Sequence, residues 1–296
     1  MKSINSEANA YNKEGLKHRY YNQKEIKSII NSDKYFSGLR TFGNYSLNSL
    51  LYCEALKKIL LRKGVKIFEN SEVLRIEDKI AYTKSGSVKA KKIIVCVDKI
   101  KKTLSGLARN IYHTQTFLAI SEKMSDEEIK SLFPKEKMMC WDSKLFYNYF
   151  KITKDNRLLL GGGSPFFIYA LKLTKYPLIV NMNIRRFRKT FPHLKSLKFV
   201  SYWSGLIDVS QDLMSILDFD ENDKDVFYVL GNVGLPWATS MGIYAARRSL
   251  DEKIKDSEDY LKFFHSKRKF FVSDFVQRII GKIPSFALSN LKAEYS

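Results

Sequence analysis

The residues best placed to do chemistry lie at 226–248, in the run VFYVLGNVGLPWATSMGIYAARR. The first five are apolar and β-branched or aromatic, which reads as a buried strand. Gly231 and Gly234 bound a tight turn, and Pro236 suits the first turn of a helix, where its fixed φ and missing N–H cost nothing. Strand, glycine turn and helix in that order aim unpaired helix N–H groups, and the positive end of the helix dipole, past the strand's carboxyl end. An electron-rich group fits there. A packed connection in an α/β domain shows the same pattern, so the turn alone does not decide between the two.

Other chemistries find little support. His18, His113, His193 and His265 are isolated, with no HExxH and no metal-spaced partner. Neither a GxSxG elbow nor a GxxxxGK[ST] loop is present. Gly161, Gly162 and Gly163 lack the Lys and Ser/Thr of a phosphate loop and read as a strand end with close backbone packing. Cys53, Cys96 and Cys140 stand far apart in apolar surroundings, which predicts buried free thiols in a reducing compartment rather than disulfides or a metal site.

The elements that would position the turn follow from periodicity. Residues 23–30 form a plausible helix. At 49–62 the apolar residues Leu50, Leu51, Cys53, Leu56, Ile59 and Leu60 recur at helical spacing and Gly64 supplies a stop. Residues 65–69 predict a strand, the stretch that follows alternates like small hairpins, and 92–98 predicts a continuous strand buried on both faces. Beyond residue 101 the pattern changes. Strands are expected at 111–121, in MMCW, KLFYNYFKIT and RLLLGGG, and in LKFVSYWSGLI, with helices over SDEEIKSLF, where Ser125 and Glu128 have capping-box spacing, and over 178–191. This predicts a mostly antiparallel sheet backed by helices, followed by an acidic return loop at 218–225 and a charged, aromatic tail after Arg248 that wraps the surface.

A chain of 296 residues, 45% hydrophobic and 14% aromatic, is globular and long enough for one large or two modest domains. Its formal charge of +20 invites a nucleic-acid partner. The lysines, however, are spread over every segment beside abundant Ile, Asn, Tyr and Phe, the bias that an AT-rich genome imposes, and the densest basic run, IRRFRK, reads as the solvated side of an amphipathic helix. No signal peptide is evident, and the longest uncharged run falls short of the ~20 residues that a spanning helix needs. A cytoplasmic protein with no membrane partner is the expectation.

Three stretches taken together resemble a known family: YNYFKITKDNRLLLGGG at 147–163, WSGLIDVSQDLMSIL at 203–217 and the 226–248 run. Their order and spacing are similar to the C-terminal half of the FAD-dependent oxidoreductases of the D-amino-acid oxidase (DAO) family, closest to the amine and γ-glutamylputrescine oxidase-like members. The resemblance implies a fold of the mixed α/β and α+β class: an incomplete FAD/NAD(P)-binding, Rossmann-like domain with a mostly antiparallel-sheet substrate domain. It divides the chain into an N-terminal segment of the substrate domain (1–48), part of the FAD-binding domain (49–101), the substrate domain (102–224), the last strand, turn and helix of the FAD-binding domain (225–250) and a tail (251–296).

By the same resemblance the chain oxidises a C–N bond of an amine or amino acid by hydride transfer to flavin N5, and the turn of Gly231, Asn232, Val233, Gly234, Leu235 and Pro236 stabilises the negative charge that grows over the flavin's N1 and C2 carbonyl. Val73 matches the family's adenine-contacting position, though it reads equally well as β core. Tyr147 and Tyr149 are candidates to line the catalytic pocket, or else are ordinary sheet aromatics. Arg157 matches a recurrent arginine but sits beside a turn. Glycine oxidase-like members hold the substrate carboxylate with an arginine after the W-x-G segment; Ile207 stands there, which favours an amine or a substrate whose acid group is held elsewhere. The family's N-terminal GxGxxG unit, which binds the FAD pyrophosphate and ribose, has no counterpart: Gly15, Gly38 and Gly43 lack the spacing. A second polypeptide carrying that unit is therefore an expected partner. The alternatives are an inactive, truncated fragment and, from another class, a basic nucleic-acid-binding protein.

Overall fold

The computed structural model describes residues 2–143, 147–164, 170, 172–232, 234–255 and 259–295. It opens with α1 (Lys2–Lys13), β1 (His18–Asn22), α2 (Gln23–Lys27) and β2 (Ser37–Thr41); β1 and β2 pair antiparallel. Asn22 caps α2 in a capping box with Glu25. Helix α3 (Ser49–Arg62) runs over the expected residues, capped by the Asn48 side chain and stopped at Gly64 with φ +80°. A three-stranded meander follows, β3 (Val73–Glu77), β4 (Ile80–Thr83) and β5 (Ser87–Lys89), and then the short β6 (Ile93–Val95).

The large sheet comes next: β7 (Ile111–Lys123), α4 (Asp126–Leu132), β8 (Cys140–Trp141), β9 (Asn148–Ile152), β10 (Arg157–Gly162), α5 (Pro177–Thr190) and β11 (Phe199–Ser210). Its order is β11-β7-β10-β9-β8 and every pairing is antiparallel. Period-two alternation sends Phe117, Ala119, Phe150, Leu158 and Leu160 to one face, where Ile179, Val180, Ile184 and Phe187 of α5 meet them with Ile129 and Leu132 of α4. That is the main core. Two glycines let these layers approach: a Cβ on Gly162 would stand 2.9 Å from the Asn183 side chain of α5, and one on Gly161 would strike the Tyr149 ring on the other face.

The chain then forms β12 (Ile216–Phe219), β13 (Val226–Leu230) and α6 (Leu235–Ser249). Strand β13 is buried along its whole length, antiparallel to β12 and parallel to β6. One face of this sheet packs on Met241, Tyr244 and Ala245 of α6, the other on Ile100, Leu107 and Ile111. Helices α7 (Leu261–Phe264), α8 (Asp274–Ile280) and α9 (Lys282–Tyr295) complete the chain.

The fold is therefore mixed α/β with mostly antiparallel sheets, as expected. Three expectations fail, two of them in the same region. Residues 65–69 form no strand; Val65, Ile67 and Phe68 are exposed. The strand expected over 92–98 shrinks to Ile93–Val95, and Ile94, Cys96 and Val97 lie exposed. Strand β6 has β13 on one side and no partner on the other among the described residues, and a strand gains burial on both faces only inside a covered sheet. The apolar stripe of α3 faces solvent as well. The thiols are also not buried: Cys53 and Cys96 are exposed and Cys140 is half-buried.

Candidate functional site at the turn before the last long helix

Strand β13 ends at Leu230, and the chain turns through Gly231 (φ +66°) and Gly234 (φ +88°), left-handed conformations that side chains resist. Val233 lies outside the described residues. Leu235 and Pro236 open α6, whose N-cap, Gly234, offers no side-chain hydrogen bond, so the first-turn N–H groups are left for another acceptor. Asn232 is held in place by Ser215, whose Oγ donates to Asn232 Oδ1 at 2.7 Å.

Beyond this turn is a cavity of about 250 Å³, lined by Cys96 and Asp98 after β6, Ile207 and Asp208 of β11, Val229 of β13, Asn232 and Ala238 of α6. It lies where the carboxyl ends of the parallel strands meet the large sheet, the place at which open α/β sheets bind ligands. Asp208 is buried with both oxygens engaged: His113 Nδ1 lies 2.5 Å from Oδ1, and the Ile100 N–H donates to Oδ2 at 3.2 Å. The Asp208 N–H in turn donates to Asp98 Oδ1 at 2.9 Å. Burial, reinforced by the neighbouring Asp208 carboxylate, pushes the Asp98 carboxyl above its ordinary value. The pairing of His113 was missed in sequence, where that residue looked isolated.

The pairing register brings other predicted residues together. Trp141 pairs with Tyr149, Tyr149 with Gly161, Gly161 with Leu118, and Leu118 with Trp203. Directly paired residues share a face, and Trp203, Gly205 and Ile207 alternate onto that same face. The sheet thus presents a row of Trp141, Tyr149 and Trp203 opposite its α5 side, leading along β11 to Ile207 at the cavity. The Tyr147 ring lies 5.9 Å from that of Tyr149. Burial raises the Tyr149 phenol to about 12, with Tyr147 adding to the rise and Thr116 opposing it. Tyr149 therefore shares a sheet face with Ile207 but stands three strand pairings away from it, and neither Tyr147 nor Tyr149 lines the cavity.

Val73, on β3, lines neither this cavity nor a second cleft of about 190 Å³ at the opposite end of β13. That cleft holds an ion-pair cluster in which Asp225 is shared by Lys79 and Lys92. Arg157 is structural: it bonds Asp155 and the Ser121 carbonyl beside a turn. Among the described residues no group of three or more His, Cys, Asp or Glu is arranged to hold a metal, and no helix is long and apolar enough to cross a membrane.

Comparison with known proteins agrees with this geometry. A family model described as "DAO: FAD dependent oxidoreductase" matches residues 1–247. The chain is 26% identical over 253 residues to the probable oxidoreductase OrdL of Haemophilus influenzae, covering 82% of this chain and 55% of that protein. It is 26% identical over 214 residues to the gamma-glutamylputrescine oxidoreductase of Escherichia coli, covering 71% and 48%. It spans about half the length of these curated relatives. Among solved structures, glycine oxidase from Geobacillus kaustophilus superposes with a TM-score of 0.74 at 16% identity, over 88% of this chain and 69% of that one. L-proline dehydrogenase from P. horikoshii gives 0.73 at 17%, over 90% and 72%. These likenesses share the fold.

Proposed function

The chain belongs to the DAO family of FAD-dependent oxidoreductases, and from that membership we propose that it forms the substrate side and the ring side of an enzyme that oxidises a C–N bond of a small amine. FAD, when bound, supplies the hydride acceptor. The observation that carries the reading is the cavity between the α6 turn and Ile207 of β11. The residues there fit the redox end of the cofactor: exposed Gly234 leaves the backbone open to close approach, buried Gly231 lets the turn pack against Ile111 and Ser210, and the uncapped helix start stabilises negative charge. The cavity does not fit a whole dinucleotide, since pockets that enclose ligands of even drug size run to roughly 300–1,000 Å³.

Each residue then has a task. Gly231, Asn232, Gly234, Leu235 and Pro236 cradle the ring, and Val233 belongs to the same turn. Ile207 gives the cavity an apolar wall that cannot pair with a carboxylate, which supports an amine over an α-amino acid. Tyr147 and Tyr149, with Trp203, line the approach along the sheet, where aromatic faces suit a cationic substrate. An ammonium must lose its proton before its C–N bond is oxidised; of the two carboxylates on the cavity lining Asp208 has both oxygens engaged, which leaves Asp98 to take it. Residues 49–101 and 225–250 belong to the flavin side and 1–48 and 102–224 to the substrate side, with the Val73 backbone at the position that contacts adenine.

The dinucleotide's phosphates need an anchor beyond these residues. The unpaired edge of β6 and the exposed apolar stripe of α3 support a complementary nucleotide-binding segment with GxGxxG, carried by a second polypeptide or by a longer form of this one. Mixing the purified chain with such a segment and FAD is expected to give a yellow complex whose flavin band bleaches on adding an amine. A colourless complex without amine-dependent turnover sinks the reading and leaves the inactive fragment in its place.

A further inference from the structure

The C-terminal helices lie beyond the residues that the family model matches, and α8 is built inside out. Its polar Gln277 turns inward to accept from the Tyr112 hydroxyl, while Phe275 and Ile279 are 72% and 68% exposed, flanked by Val276 and Ile280. After the turn at Gly281 the ridge continues with Ile283 on α9. The inner side of the pair is firmly seated. Phe286 packs on Tyr112 and Val209, Lys282 Nζ donates to the Ile111 carbonyl at 2.5 Å, and Gln211 exchanges hydrogen bonds with Val272 at 2.9 and 3.1 Å. An apolar ridge is therefore held outward on an anchored hairpin.

From this arrangement we propose that the α8–α9 hairpin is a docking surface for an anionic membrane, lying in the headgroup layer with Phe275, Ile279 and Ile283 inserted. Charge decides the occupant. From residue 261 to 289 the chain carries six basic residues against one acidic residue, Asp274; Arg268 pairs with Asp212, Lys267 with Glu221 and Lys282 turns inward, while Lys262, Lys269 and Arg278 lie exposed. A basic, apolar-faced hairpin gains from both acyl burial and anionic headgroups. A second copy of a chain with formal charge +20 would be repelled, and a phosphodiester backbone rewards neither isoleucine. This is surface association and not a span, and it departs from the expectation of no membrane partner.

Cosedimentation of the full chain with vesicles tests it, using phosphatidylcholine alone or with roughly one third phosphatidylserine. The chain is expected to pellet with the anionic vesicles and to be released by salt. The double variant Phe275→Ser/Ile279→Ser should lower the bound fraction about tenfold or more. Lys269→Glu/Arg278→Glu should lower it with the ridge intact. Because both pairs are exposed, circular dichroism is expected to show unchanged folding. No pelleting, equal pelleting of the variants, equal binding to neutral vesicles, or a ridge-dependent dimer or nucleic-acid complex instead would overturn the proposal. Flavin enters none of these measurements, so their failure is separate from any failure of the oxidase reading.

Discussion

At the scale of single residues, the cavity's character turns on Ile207, Asp208 and His113. Replacing Ile207 by Arg restores a planar donor beside the cavity, and the prediction is a change of preference: kcat/KM for an amine relative to the matching α-amino acid should fall by at least about tenfold in the flavin-loaded complex. An unchanged ratio would remove Ile207 from substrate choice. His113→Ala leaves the buried Asp208 carboxylate with only the Ile100 N–H, and breaking a buried pair on one side costs roughly 3 kcal/mol, readable from urea unfolding. A loss below about 0.5 kcal/mol would show the pair to be loose in solution. Ile207 was legible in sequence because it stands at a fixed distance from W-x-G. The His113–Asp208 pair was not, because its partners are 95 residues apart and meet only through the β7–β11 register.

At the scale of elements, short-range rules carried the reading well. The helix over Ser49–Arg62, the Ser125–Glu128 capping box and the β13-turn-α6 unit all rest on contacts within a few residues, and all three stand in the structure. The misreadings at 65–69 and 92–98 concern strands whose burial depends on a neighbour, which no local pattern encodes. The short β6 and the meander are joined by Ile76 and Ile93, which pack on one core cluster, and by an ion-pair cluster at the surface. Asp225, just before β13, accepts from Lys79 at the β3–β4 turn and from Lys92 ahead of β6, and these lysines hold its carboxyl at about 2. The folded state therefore binds this proton less readily than the unfolded chain, whose carboxyl titrates near 3.8. The stabilisation is present above that value and is lost as pH falls toward about 2. Asp225→Asn should lower Tm at neutral pH, and the difference from the parent should vanish over that acid window; a difference independent of pH would assign the effect to the backbone turn instead.

At the scale of the whole molecule, the two sheets are finished to different degrees. The large sheet is covered by α4 and α5 on one face and offers its aromatic row on the other. The sheet β12-β13-β6 has α6 on one face, a fully buried β13 at its centre and a free edge at β6, where Ile94 and Val97 lie exposed; apolar side chains of α3 and of residues 65–68 also remain in water. An open strand edge is a template for another strand, and apolar surface beside it makes pairing favourable. Hydrogen exchange separates the two sheets. In the chain alone, amides of β7, β10 and β13 should exchange slowly, and those of β6 and α3 far faster, because local opening is least costly where few apolar contacts are lost. Adding the nucleotide-binding segment should slow β6 and α3 together while leaving β7 and β10 unchanged. If β6 and α3 are already as protected as β13 in the isolated chain, the edge is closed without a partner, and the case for a complementary segment at this edge falls with it.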